Sequence, residues 1–320
     1  MRRRQVLALG AGLVAMATGC GSATDPRRLA SATVSMVVPG PAGGETDMIA
    51  RSLKGVAERE SLAGAVRVVN RPLESALTEF TRARQPGMML MAEPELVGTV
   101  RDVRQATAFA GTTPLARLCG EWELLVVPAA SRLTTFGAFA DALRRDPSRL
   151  AVAGRNTGGV DHVLLGMLAQ SLGVDPRLVR YAAYPTCEQA VAALAAGRAP
   201  VAISGHAAVR PRVRSGELRV LAVSSPDRLP GVEAPTLLES DVHLYCANWR
   251  GLLGSGDLAE ADRAALALMC RGVADSPRWQ AICVRNGWTP LYLDGDEFRQ
   301  WLGVESARLG RALGDLGVRV

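Results

Sequence analysis

The sequence has few aromatic residues, almost no lysine and only a small excess of positive charge. Aromatic residues make up 4% of the chain, and close pairs such as Tyr181 and Tyr184 are few, which excludes a platform for stacked nucleobases. Lys54 is the single lysine, and acidic residues are interspersed with the arginines. We therefore predict no concentrated basic surface and no nucleic-acid partner.

The motifs of common metal, nucleotide and hydrolytic sites are also missing. No CxxC pair occurs and the three histidines stand apart, so no metal or redox site is predicted. No glycine turn ends in Gly-Lys-Ser or Gly-Lys-Thr, which excludes a P-loop. Ser204 lacks the preceding glycine of a nucleophile elbow, and Cys187 has no catalytic signature. We expect no cofactor and no enzymatic activity.

The N-terminus has the layout of an exported lipoprotein. Three arginines at 2–4 precede an apolar stretch over 6–16 that is too short to span a bilayer. Small residues then lead to Cys20, where such a signal is cut and acylated. We predict a signal peptide over 1–19, lipidation of Cys20 and a polar tether over 20–32. A cleaved signal with an incidental cysteine is the alternative, and the double arginine also fits twin-arginine export.

Loss of the predicted signal lowers the net charge from +6 to +3, because the signal holds three arginines and no acid. Five of the six cysteines then remain besides Cys20. Export permits disulfides, and Cys270 and Cys283, on two predicted helices, are the first choice for a bridge. Buried free thiols are the alternative.

Beyond the tether, apolar runs of strand type alternate with segments of helical periodicity. The predicted strands cover 33–38, 65–69, 88–91, 124–127, 150–153, 178–182, 201–203 and 218–223. The clearest helices are predicted over 46–57, with Met48 and Ile49 inward, over 136–145, and over 160–172 with one buried face. This alternation predicts two parallel, doubly wound sheets. Glu121 and Glu123 flank Trp122 on a strand and look solvated.

Two glycine turns connect a predicted strand to a predicted helix. The first runs from Pro39 to Asp47 and contains Pro41, Ala42, Gly43 and Gly44; the second runs from Gly154 to His162 and contains Thr157, Gly158 and Gly159. Glycines let backbone N–H groups approach a ligand, and a helix start attracts an anion, so each turn can hold a carboxylate. Taken alone, such a turn is more often only a tight turn, and His162 more often a packing residue.

Together these pieces resemble the periplasmic solute-binding proteins of the tripartite tricarboxylate transporter family. The most specific fragment is V-V-P-x-P-A-G-G-x-T-D-x-x-A-R, matched from Val37 to Arg51. Five further fragments follow in the family's order and spacing, and they lie at 68–72, 114–127, 154–162, 218–228 and 235–251.

The resemblance implies an α/β fold of two Rossmann-like lobes, of the type II periplasmic-binding-protein kind, with a ligand cleft between them. Lobe 1 is then 33–123 and 229–320, and lobe 2 is 124–228. The resemblance also implies a monomer that binds a carboxylate in the cleft. The ligand-binding residues carried over are Pro41, Ala42, Gly43, Gly44, Asp47, Thr157, Gly158, Gly159 and His162, with Tyr181 and Ser204 as further candidates.

The chain departs from the family pattern at four places. Gly40 replaces an aromatic residue, and Leu73-Glu74-Ser75-Ala76 replaces a glycine-rich segment. Gly159 stands where a hydroxyl residue is common, and Pro200 where an Asp often precedes a strand. These changes bear on the identity of the ligand rather than on the fold.

The predicted function is capture of a small mono-, di- or tricarboxylate outside the cytoplasm by lobe closure. The closed, lipid-anchored protein would deliver the solute to the membrane subunits of the transporter. One alternative is a sensory component that feeds a signalling receptor. The other, from a different class, is a secreted hydrolase of carboxylated substrates.

Overall fold

The structure, a computed structural model, describes residue 29 and residues 32–83, 85, 87–99 and 109–318. The predicted signal peptide, the lipidation site at Cys20 and almost all of the tether lie outside the described residues. Within the described ranges, no helix has the length and apolar composition needed to cross a membrane.

Strands and helices alternate along most of the chain. The strands are β1 (Thr33–Pro39), β2 (Ala65–Arg71), β3 (Met88–Ala92), β4 (Thr112–Pro128), β5 (Val152–Arg155), β6 (Tyr181–Tyr184), β7 (Val201–Gly205), β8 (Leu218–Val223), β9 (Ala247–Ser255) and β10 (Thr289–Leu293). The helices are α1 (Glu45–Arg59), α2 (Leu73–Ala83), α3 (Glu95–Gly98), α4 (Phe136–Arg145), α5 (Val160–Ser171), α6 (Cys187–Ala195), α7 (His206–Arg214), α8 (Glu260–Asp275), α9 (Pro277–Asn286) and α10 (Gly295–Asp315).

Strand β4 connects two groups of parallel strands. In one group, β2, β1 and β3 are parallel, and β9 lies antiparallel between β3 and β4. In the other group, β6, β5 and β7 are parallel, and β7 and β8 pair antiparallel with the last residues of β4. Because β4 is 17 residues long, its first part belongs to one group and its end to the other.

The predicted alternation of strands and helices is confirmed, but the predicted purely parallel sheets are wrong. Both sheets are mixed, since β4 and β9 run against their neighbours. An apolar run indicates that both faces of a strand are covered, but it does not indicate whether the strand is parallel or antiparallel to its neighbours. The strand predicted over 178–182 begins at Tyr181 instead, because Pro176–Leu178 forms a 3-10 turn before it.

The helices differ from their predicted burial in two places. Helix α5 is buried at every position from 160 to 169, not on one face, because α10 packs against it as well as strands β5 and β7. On α1, Ile49 is buried as predicted, whereas Met48 is 46% exposed and borders a cavity. The same helix buries Leu53 and Val56 against Met36 and Val38 of β1.

The predicted bridge between Cys270 and Cys283 is wrong. Both thiols are free and buried, as are those of Cys119 and Cys246. Cys283 of α9 instead lies in the same buried cluster as Cys119 of β4, and the interaction between the two thiols raises the pKa of Cys119.

Candidate ligand-binding site

A cavity of about 990 Å³ opens where the parallel strands of both groups end. Its walls come from the residues that follow β1, β2 and β3 on one side and β5, β6 and β7 on the other. Ligands of open α/β sheets bind beyond the carboxyl ends of the strands, and this volume suits a small organic molecule. The cavity is therefore the candidate site.

The turn between β1 and α1 is held by Asp47. Its carboxylate accepts the Gly43 N–H at 2.8 Å, Arg51 Nε at 2.7 Å and Asn70 Nδ2 at 3.1 Å. Burial alone would raise the pKa of Asp47, but these three bonds together hold it below its usual range. Gly43 has a φ of +82°, which favours glycine.

Some donors of this turn are used by the turn itself, and others are free. The N–H of Gly44 donates to the carbonyl of Pro41 at 3.2 Å, and that of Gly43 to Asp47. Gly44 caps α1 without a side-chain bond, and the N–H groups of Glu45 and Thr46 have no partner among the described residues. Both residues line the cavity, so the unpaired start of α1 supplies the free donors here.

The turn between β5 and α5 is held by His162. The N–H of Gly158 donates to its Nδ1 at 3.1 Å, and the imidazole stacks on the ring of Tyr181 with centroids 4.2 Å apart. The Tyr181 hydroxyl in turn donates to the carbonyl of Arg155 at 2.6 Å. Burial lowers the pKa of His162 to about 4, so the ring is neutral at pH 7 and accepts the Gly158 N–H.

The cavity brings together only part of the predicted set. The lining includes four of the predicted residues, Pro41, Gly43, Gly44 and Asp47. Among the described residues, the lining does not include the other seven, Ala42, Thr157, Gly158, Gly159, His162, Tyr181 and Ser204. The second turn reaches the cavity through Arg155 and Asn156 instead. Ser204 is fully buried on β7, and its hydroxyl has no partner in the described part of the chain.

Two arginines and four glutamates form a charged inner wall. Arg155 pairs with Glu45 at 3.1 Å and with Glu95 at 2.5 Å. Arg250 is fully buried and pairs with Glu93 at 3.3 Å and with Glu45 at 3.5 Å. Glu121 accepts the N–H of Ala207 and forms no ion pair with any described residue.

Comparison with known proteins identifies the family of the chain. A sequence model described as "Tripartite tricarboxylate transporter family receptor" matches residues 106–318. The chain belongs to this family. A curated relative, the "UPF0065 protein in tcbD-tcbE intergenic region" of Pseudomonas sp. (strain P51), is 28% identical over 245 residues, which cover 74% of this chain and 71% of the relative.

Solved structures show the fold of this receptor family. A TctC solute-binding protein from Polaromonas superposes with a TM-score of 0.72 at 20% identity, over 89% of this chain and 98% of that one. The R. palustris protein Rpa4515 with adipate superposes with a TM-score of 0.72 at 21% identity, over 89% of this chain and 97% of that one. The receptor thus has the two-lobed α/β fold of periplasmic binding proteins.

The acidic residues of the site are the part that sequence reasoning missed. Glu121 and Glu123 were expected to be solvated, but they are 5% and 1% exposed. Both lie where β4 passes from one group of strands to the other, so both faces of the strand are covered. Acids alternating with Trp122 normally indicate a solvated face, and only the pairing of β4 with β7 and β9 shows that they are buried.

Burial raises the pKa of four carboxyl groups in and around the site. It raises the pKa of Glu93 to about 7, that of Asp161 to about 6 and that of Glu121 to about 8. For Glu121, the second cause is the charge of Glu45 nearby. Burial also raises the pKa of Glu123 well above its usual range. At pH 7 the carboxyl group of Glu121 is therefore mostly protonated and that of Glu93 about half protonated.

Proposed function

We propose that this receptor captures a small carboxylated solute outside the cytoplasm, closes its lobes around it and delivers it unchanged to the membrane subunits of a tripartite tricarboxylate transporter. The observation that carries the proposal is the cavity of about 990 Å³ at the carboxyl ends of both groups of parallel strands. Membership of a receptor family supports binding without catalysis.

The start of α1 is the proposed contact for a carboxylate. The N–H groups of Glu45 and Thr46 are unpaired within the described residues, and they lie at the positive end of a 15-residue helix. Helix starts of this kind hold anions without a cationic side chain. The adipate in the R. palustris structure, which has the same fold, is consistent with a solute of this class.

We propose lobes over 33–123 plus 229–320 and over 124–228. In support, strands β1, β2, β3, β9 and β10 pair among themselves and with the first part of β4, whereas β5 to β8 pair among themselves and with its end. The inner wall links the two groups through Arg155, the last residue of β5, which pairs with Glu45 of α1 and Glu95 of α3. Closure would exclude water and strengthen each charged hydrogen bond.

We further propose that Cys20 carries a lipid that anchors the receptor at the outer side of a membrane. Support comes from the sequence around the cysteine and from the family. Mass spectrometry of the purified protein tests the anchor, and an unmodified Cys20 or a chain that retains residues 1–19 contradicts it.

A thermal-shift screen against small organic acids, followed by small-angle X-ray scattering, tests solute capture. A true solute raises the melting temperature by mass action and lowers the radius of gyration as the lobes close. Recovery of a chemically altered acid after incubation would contradict a receptor role and favour the hydrolase.

A further inference from the structure

A second cavity lies on the other face of β4 from the candidate ligand-binding site. Its volume is about 300 Å³, at the lower end of the range for small-molecule sites, and it shares no lining residue with the first cavity. Glu121 lines the first cavity and Trp122 the second, because successive side chains of a strand point to opposite faces. A molecule in the second cavity therefore does not occupy the space of the solute.

The second cavity lies where the chain passes between the two groups of strands. Trp122 is the last residue of β4 that pairs with β9, and the residue after it is the first that pairs with β7. Pro226 and Tyr245 belong to the segment that returns from β8 to β9, and Trp301 of α10 forms a further wall. The cavity is therefore built by several distant parts of the chain and not by one surface loop.

Three charged side chains line this cavity, and one of them has unused donors. Arg308 donates to both carboxylate oxygens of Glu305 at 2.9 Å and to the carbonyl of Tyr245 at 2.9 Å. Arg117 donates through Nε to the carbonyl of Leu291 at 2.7 Å, and its two terminal nitrogens have no partner among the described residues. Since Glu305 is already engaged by Arg308, Arg117 is the cation that remains for a ligand.

The guanidinium of Arg117 is held in a fixed orientation and partly removed from water. Its central carbon lies 4.3 Å from the centroid of the Trp301 ring, a cation–π contact that orients the guanidinium plane. Burial lowers the pKa of Arg117, although the charge of Glu305 acts in the opposite direction. An anion at the terminal nitrogens would supply the counter-charge that the protein provides only in part.

The rest of the lining determines what kind of anion fits. The other seven lining residues are aromatic or aliphatic, and they include Trp122, Tyr245 and Leu293. Inorganic phosphate would leave most of its charged oxygens against these apolar walls without donors, which is costly. A single carboxylate on an apolar body places its charge at Arg117 and buries the remainder.

We infer that the second cavity binds a small monocarboxylate with an apolar body, whose carboxylate pairs with Arg117 and whose apolar part packs against Trp122 and Tyr245. This second site goes beyond solute capture and does not depend on it.

Three small probes test the inference with purified receptor. Benzoate carries one carboxylate on an apolar ring, benzamide keeps the ring without the charge, and acetate keeps the charge without the ring. We expect isothermal titration to give benzoate a dissociation constant about tenfold or more below those of benzamide and acetate, because each of these lacks one of the two contacts.

Variants locate the benzoate. Arg117→Gln should weaken its binding about tenfold, because the charged hydrogen bond is lost. Arg271→Gln is the matched control, since Arg271 also lies over an aromatic ring, that of Tyr292 at 5.3 Å, but is exposed and lines neither cavity. It should leave benzoate binding unchanged.

A second variant covers the case in which Arg117→Gln does not fold. Tyr245 is 53% exposed, so Tyr245→Ala should fold, and the loss of its ring from the cavity wall should weaken benzoate binding about threefold. Circular dichroism of each variant confirms that it is folded before titration.

Two kinds of result overturn the inference. If benzoate binds folded Arg117→Gln as tightly as the natural protein, or Tyr245→Ala does so where Arg117→Gln is unfolded, then benzoate lies elsewhere. That result leaves carboxylate capture at the start of α1 standing. The inference is also wrong if benzoate does not bind, or if benzamide or acetate binds as tightly as benzoate.

Discussion

Nη2 of Arg155 lies 2.5 Å from Oε1 of Glu95. Arg155 ends β5 and Glu95 begins α3, so this ion pair spans the cavity between the two groups of strands. The same guanidinium also donates to Glu45 of α1 at 3.1 Å. One side chain therefore joins three elements that are far apart in the sequence, and it does so with both partners largely shielded from solvent.

Arg155→Gln is expected to lower the free energy of unfolding by about 3 kcal/mol, because it leaves Glu95 and Glu45 buried with one cation fewer. Urea unfolding measures the loss, and a double-mutant cycle with Glu95→Gln should show that the two changes are not additive. Arg177→Gln is the control, since Arg177 pairs with Asp175 in solvent, and it should change stability little. Equal losses in both variants would rule out a special role for the buried pair.

The parts of the fold that local pattern specifies were predictable. Strand β8 spans Leu218–Val223 as predicted, and α4 ends at Arg145 just before Asp146-Pro147. Helix α1 follows its glycine turn because the apolar spacing of Ile49, Leu53 and Val56 matches one buried face.

Strands β9 and most of β4 were not predictable from pattern alone. Strand β9 contains Asn248 and Arg250, which are 3% and 0% exposed, and these polar residues interrupt the apolar run that marks a buried strand. Arg250 belongs to the inner wall, where it pairs with Glu93 and Glu45, and Asn248 is buried beside it and accepts a hydrogen bond from its guanidinium. The buried polar residues of the site are thus the ones that prevent β9 from being recognised as a strand in the sequence.

Gly43→Ala is expected to cost about 1 kcal/mol of stability, because a side chain at a φ of +82° is strained even where nothing obstructs it. The substitution should also weaken solute binding, since a shift of the turn moves the start of α1. Gly216→Ala carries a similar strain, at a φ of +74° with open space, in the turn between α7 and β8. Gly216→Ala should lower the stability and leave the affinity for the solute unchanged. Parallel urea unfolding and calorimetry separate the two effects, and unchanged affinity in Gly43→Ala would refute the placement of the carboxylate.

Protonation of Glu121 predicts a pH-dependent stability. Burial, with the nearby charge of Glu45, raises the pKa of Glu121 to about 8, whereas Arg250 and the Ala207 N–H act in the opposite direction. The folded state then binds more protons than the unfolded state, so the stability from this group is full below about pH 4.5 and is lost as the pH rises through 8.

Glu121→Gln should therefore be more stable than the natural protein at about pH 8.5, by on the order of 2 kcal/mol, and similar to it at about pH 5. Urea unfolding at both pH values gives the difference. His162, whose pKa burial lowers to about 4, contributes stability that is lost as the pH falls below about 6.5, but this contribution is common to both proteins and cancels. A stability difference independent of pH would show that Glu121 is ionised throughout.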